Sequence, residues 1–189
     1  MKTFFQAFKL FCILTIVTGI FYPLTVTFIA QTCLPYQANG SLIYENGRLI
    51  GSTLLAQKFQ NQKYFWSRPS AADFATVPSG ASNQGATSAA LKELVVKRAA
   101  EFRQANHLSQ ATPIPADVIF ASGSGLDPHI SLAAAYYQIP RVAQVRGISE
   151  IKVKNIIRKN TQGRFLGVIG EPVVNVLKVN LDLDYLSQK

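Results

Sequence analysis

The chain has 189 residues, 48% of them apolar, and carries 19 Lys and Arg against 10 Asp and Glu for a formal net charge of +9. Two cysteines and two histidines, with no Cys/His cluster, exclude a disulfide scaffold and a structural zinc site. The cations are scattered and not interleaved with aromatics, which excludes nucleic acid as a partner. A solvated basic surface remains, or one that meets anionic lipid or an acidic protein.

Hydrophobicity is concentrated at the start. No Asp, Glu, Lys or Arg occurs from Leu10 to Tyr44, and Leu10–Ala30 has the length a bilayer core requires. Its Leu, Ile, Val and Phe favour insertion by roughly 4–7 kcal/mol before polar residues subtract. A cleaved signal peptide fits less well, because the apolar run is too long and Phe28 spoils the nearest small-residue site. Lys2 and Lys9 precede the run and the next cation is Arg48, so the positive-inside rule puts the N-terminus in the cytoplasm. The reading is therefore a cytoplasmic N-terminus over 1–9, a transmembrane helix over 10–31 and an extracytoplasmic (periplasmic) α/β domain over 32–189. Cys12 lies inside the apolar run and Cys33 just past its end, ~30 Å apart as a helix at 1.5 Å per residue, and they cannot pair within one chain. Thr15, Thr18, Gly19, Tyr22 and Thr25 fall within a ~120° arc at 100° per residue, a face suited to a partner helix. Thr facing lipid with its hydroxyl on its own backbone is the alternative. Pro23 removes a donor to Gly19 and predicts a kink.

Beyond the helix, Gln37–Ser41 reads as a loop and Arg48–Gly51 as a short strand. Thr87–Asn106 is the clearest helix, with Leu91, Leu94, Val95, Ala99 and Phe102 at 3.6-residue spacing. Pro78–Ala90 before it reads as a flexible loop. Asp117–Ala121 reads as a strand, Asp127-Pro128 as the start of a second helix, and Pro140 and Ser149 as openings of two more, the last ending near Asn160. Val173–Leu183 alternates as a strand does, with Val179, Leu181 and Leu183 on one face. The fold class is mixed α/β, a single transmembrane helix followed by one extracytoplasmic α+β domain.

Reactive residues are densest at Ser122–Ser131. A hydrolase using Ser124 or Ser131 with His129 is one reading, and a glycine loop cradling an anion is another. A simple turn with a capped helix fits better, since no G-x-S-x-G elbow is present. Gly163, Gly167 and Gly170 mark a turn-rich hairpin, and no Walker phosphate loop or Asp-Lys-Thr-Gly phosphorylation motif occurs. In Tyr64–Ala71, Arg68 can stack on an aromatic face or meet an acidic partner.

Six segments in order carry a resemblance: TGIFYPL at Thr18–Leu24, QANGSL at Gln37–Leu42, YFWSRPSA at Tyr64–Ala71, ASGSGLDPHIS at Ala121–Ser131, RVA at Arg141–Ala143 and GEPVVNVL at Gly170–Leu177. Together they resemble the C subunit of the Kdp potassium-transporting P-type ATPase. The sequence departs from that family's pattern at Ser79–Ala89 and at Gln162. The resemblance implies a complex of a channel-like potassium subunit, a P-type ATP-hydrolysing subunit and a small single-span subunit in the cell inner membrane. ATP and potassium are then handled by the complex. It implies an accessory subunit for assembly or, alternatively, a catalytic chaperone that raises the pump subunit's ATP affinity, with Gln138 as the family-implied nucleotide contact. The charge rule opposes that contact, because it places Gln138 outside the cell. Arg68, Asp127, His129 and Arg141 are the candidate interface residues.

Overall fold

Apolar length and composition dominate the first 33 residues. In the computed structural model, which describes residues 1–187, they form α1 (Lys2–Ile16), a π turn (Val17–Phe21) and α2 (Tyr22–Cys33). The last two residues of the predicted 32–189 domain lie outside the described residues. The helical run of 32 residues has a mean hydropathy of 2.0 in its most apolar stretch, long and apolar enough to cross a membrane. None of its residues is buried. The π turn sits just before Pro23, whose missing N–H and bulky ring disturb the preceding turn of an α-helix. A one-residue insertion relieves that clash where a kink was predicted.

Two compact units divide the chain, Met1–Ser52 and the part from Thr53 onward. The first also holds α3 (Pro35–Ala38), which takes up part of the predicted 37–41 loop. An antiparallel hairpin follows, β1 (Leu42–Glu45) and β2 (Arg48–Ser52). Asn46 and Gly47 both have positive φ, the backbone of the two-residue turn that matches strand twist.

The second unit begins with residues 53–88, which contain no helix or strand. Then come α4 (Ala89–Ala105), a 3₁₀ turn (Ala116–Val118), β3 (His129–Ser131), α5 (Leu132–Arg146), α6 (Glu150–Lys159), β4 (Thr161–Gln162), β5 (Val173–Asn175) and α7 (Val176–Ser187). A small antiparallel sheet, ordered β3-β5-β4, pairs Ile130 and Thr161 with Val174. The core is Phe65, Phe102, Ile130, Ala134, Val142, Val153, Ile157, Val174, Val179 and Leu183 with their neighbours. Ser88, Ser131 and Ser149 each accept a hydrogen bond from the backbone N–H three residues on, which starts α4, α5 and α6.

Four sequence expectations are corrected. Asp117–Ala121 is no strand: Asp117 lies in the 3₁₀ turn, and its carboxylate accepts from the Ser131 N–H at 2.7 Å and hydroxyl at 3.1 Å. Asp127-Pro128 opens no helix, because Asp127 accepts from the His129 N–H at 3.0 Å in a tight turn and Ser131 does the capping. Pro140 lies inside α5, where buried Gln138, Ile139, Arg141 and Val142 flank it and hold the helix through the lost bond. Val173–Leu183 is a strand only to Asn175. From there Val176, Val179 and Leu183 follow helical spacing into the core, and Asn175 accepts from the Lys178 N–H at 3.1 Å.

Candidate functional site

An irregular stretch as long as 53–88 needs its backbone polar groups satisfied once it enters the core. At Phe65 and Trp66, side-chain amides do this. Asn180 on α7 accepts from the Phe65 N–H at 2.8 Å and donates to its carbonyl at 3.0 Å. Gln138 on α5 does the same for Trp66, at 2.8 and 3.4 Å. Each amide takes the place of a neighbouring strand, and Phe65, with no exposure, plugs the core between them.

Beneath this stretch lies Arg141, 1% exposed. Its Nε donates to Asn106 Oδ1 at 2.9 Å, its Nη2 to Gln138 Oε1 at 2.8 Å, and its Nη1 to the carbonyls of Gln62 and Tyr64. The guanidinium carbon stands 4.4 Å from the Trp66 ring centroid. Among the described residues no carboxylate pairs with it. Burial pushes its pKa down to about 10, so it stays a cation at neutral pH. Alongside, Arg146 pairs with Asp184 at 2.8 Å, and Asp184 also accepts from the Tyr64 hydroxyl at 2.8 Å. This network fastens residues 62–66 to α5 and α7.

Gln138, the family-implied nucleotide contact, has no exposure. Its oxygen accepts from Trp66 and Arg141, and its nitrogen donates to the carbonyls of Trp66 and Ala134. A carboxamide has two donors and two acceptor sites, and all four are taken.

Arg68, Asp127 and His129 do come together. Arg68 Nη1 meets Asp127 Oδ2 at 2.8 Å, and His129 Nδ1 lies 3.6 Å from Asp127 Oδ1. Burial alone would raise the Asp127 carboxyl. The hydrogen bonds from the His129 side chain and backbone and from Arg68, with the Arg68 charge, outweigh it and hold the carboxyl below its ordinary value. Neither candidate serine is paired with His129: Ser131 bonds Asp117 and the Ala134 N–H, and Ser124 accepts from the Leu126 N–H. Gly125 has positive φ, and a Cβ there would meet the Gly80 carbonyl at 3.0 Å, so only glycine lets these two loops close together.

Arg68 also lines a cleft of about 580 Å³, with Phe59, Trp66, Phe74, Arg98 and Phe102 among its walls. Arg68 Nε is buried there without a hydrogen-bond partner, while Arg98 donates to the Ile119 carbonyl at 3.0 Å. Lys58, Asp73 and Glu101 also line the cleft, so its charges are mixed around the aromatic wall. Among the described residues no group of His, Cys, Asp and Glu could hold a metal ion.

On the apolar helix, the hydroxyls of Thr18 and Thr25 bond their own backbone, at Leu14 O (2.7 Å) and Phe21 O (2.8 Å). The π turn sets every later residue back by about 100°. Thr15 precedes that turn, Thr18 and Gly19 lie within it, and Tyr22 and Thr25 follow it in α2. The free cysteines are Cys12 and Cys33.

Comparison with known proteins brings in the family. A family model described as KdpC, K+-transporting ATPase, c chain, matches residues 4–185. The chain belongs to the KdpC family. The potassium-transporting ATPase KdpC subunit of Sorangium cellulosum is 50% identical over 181 residues, which cover 94% of this chain and 95% of that one. Its counterpart in Methylococcus capsulatus is 47% identical over 97% of both chains, and that of Dechloromonas aromatica 46% identical over the whole of both. In this KdpC chain, sequence reasoning missed Asn106, Asn175 and Asn180 as network members. The available signal was an asparagine on an otherwise apolar face, as Asn180 is among Val176, Val179 and Leu183.

Proposed function

We propose that the chain is an accessory, non-catalytic subunit of an ATP-driven potassium-import complex, needed to assemble and stabilise the channel-like and ATP-hydrolysing subunits. The observation that carries this reading is the full occupancy of Gln138. A side chain with no exposure and no spare hydrogen-bonding position has nothing to offer a nucleotide, so its role is to hold the Tyr64–Trp66 segment. Among the described residues neither Ser124 nor Ser131 bonds His129, which removes support from a hydrolase. The apolar helix anchors the chain with its N-terminus in the cytoplasm, as Lys2 and Lys9 direct. The later unit then lies outside, in the periplasm of a bacterial cell, with the small single-span subunit as a further partner in the membrane. We place the grip on the partner at the cleft beside Arg68, where the aromatic wall takes apolar side chains.

The deciding experiment is Gln138→Ala in the purified complex. The accessory reading expects lower complex yield and thermal stability with an unchanged KM for ATP in what assembles. A raised KM in a complex of normal yield and stability would establish the nucleotide-affinity role instead. Orientation is read separately from Cys33. A membrane-impermeant maleimide labels it in intact cells if the unit is outside, and protection lost on permeabilisation would reverse that assignment. A photo-crosslinker in place of Phe74 should join the chain to a partner subunit if the cleft is the grip.

A further inference from the structure

Phe165–Ile169 is the most exposed apolar segment outside the N-terminal helix. Phe165, Leu166, Val168 and Ile169 are 68, 80, 74 and 63% exposed. The segment is a built turn. Phe165 and Ile169 exchange backbone hydrogen bonds at 2.8 and 3.0 Å, Gly167 and Val168 donate to Arg164 and Phe165, and Arg164 clasps Glu171 at 2.9 and 3.1 Å across the base. Holding four large apolar side chains out in water on a closed turn calls for something to receive them.

The sequence leading into this turn is cationic. α6 buries Val153, Ile156 and Ile157 and turns Lys152, Lys154, Arg158 and Lys159 to solvent on its opposite face. Lys154 leans on the Tyr136 ring at 5.5 Å, Lys159 pairs with Asp182 at 3.1 Å, and Arg164 stands at the base of the turn. Glu150 and Glu171 are the other acids of the segment, so cations are in excess. Protein interfaces are depleted in lysine, whereas surfaces that lie in a bilayer interface combine Lys and Arg with Phe and Leu. The same chain carries a helix long and apolar enough to cross a bilayer.

We propose that the Phe165–Ile169 turn, with the basic face of α6, docks on an anionic bilayer, the apolar side chains entering the interface and the cations meeting lipid phosphates. The surface is separate from the cleft and the buried network and holds on either side of the membrane, so it does not depend on the orientation proposed above.

The test uses the complete complex with Cys12→Ala, Cys33→Ser and Leu166→Cys, labelled with an environment-sensitive fluorophore. Position 166 is exposed, so the label leaves the core alone. The complex is reconstituted in phosphatidylcholine, and in phosphatidylcholine mixed with phosphatidylglycerol, each with and without nitroxide-bearing lipid. The expected result is a blue-shifted emission quenched by the nitroxide, stronger with phosphatidylglycerol. Lys152→Gln, Arg158→Gln and Lys159→Gln should each lower the docking constant by up to about fivefold at low salt. A blue shift without nitroxide quenching in either lipid would overturn the proposal and assign the turn to a partner subunit. Water-like emission throughout would overturn it by leaving the turn uncovered.

Discussion

The helix of the first unit and the core of the second satisfy their polar groups in opposite ways. Along Lys2–Cys33 no residue is buried, and the hydroxyls of Thr18, Thr25 and Thr32 close back on their own helix. In the second unit a guanidinium, two carboxamide clasps and further asparagines are all but sealed from water, and each is held by an element distant in sequence. The helix closes these hydroxyls locally and makes no core of its own. The second unit is globally interdependent, because its longest irregular segment is fastened to α5 and α7 through buried side chains. Substitution should therefore be cheap in one region and costly in the other.

The largest break is expected at Arg141. Arg141→Ala takes the donor from Asn106 Oδ1 and from the Gln62 and Tyr64 carbonyls around a vacated space, leaving Gln138 Oε1 only its bond from Trp66. It should cost about 3–5 kcal/mol by denaturant or thermal unfolding of the full chain. Arg141→Lys should rescue little, since an ammonium cannot reach acceptors arrayed around a planar fork. Next comes Asn180→Ala, which strands the Phe65 N–H and carbonyl and should cost about 1–3 kcal/mol in the same assay. A loss below 0.5 kcal/mol would mean the clasp is ornamental.

Asp127 sharpens the contrast by pH. Its carboxyl lies below the ordinary aspartate value of 3.8 in the folded chain, so its contribution is fully present above about 3.8 and disappears as pH falls through the lower folded value. Relative to the native chain, Asp127→Asn should be less stable at neutral pH, and the gap should close below pH ~4. A gap that stays constant into acid would show that the pairing with Arg68 and His129 carries no such linkage. The smallest effect is expected in the helix: Thr25→Val should change the stability of the isolated chain by less than about 0.5 kcal/mol, because the hydroxyl serves only the Phe21 carbonyl. A drop in complex yield for the same variant would place a partner on that side of the helix.

Much of the architecture could be read from residue order. The apolar run, α4 with its Ser88 cap, α6 between Ser149 and Asn160 and the turn at Gly163–Gly170 each announce themselves by local chemistry. What escaped was decided by tertiary contact. Val176–Leu183 satisfies a period of 2 and a period of 3.6 at once, and only the core selects the helix. Pro140 looks like a helix start until the buried residues on both sides hold it inside one. Gln138 and Arg141, three residues apart, looked like surface for a ligand or partner, and nothing local says that residues 62–66 will cover them. The pairing of Arg68 with Asp127 needed a separation of 59 residues to close, though both had been marked as functional.

The two amide clasps give an irregular segment the kinetic signature of a sheet. Phe65 and Trp66 lie outside every helix and strand, yet both N–H groups end on buried carboxamide oxygens. In deuterium oxide these two amides should exchange as slowly as those of β5, opening only when α5 and α7 part. Protection in this stretch therefore reports the global unfolding of the unit.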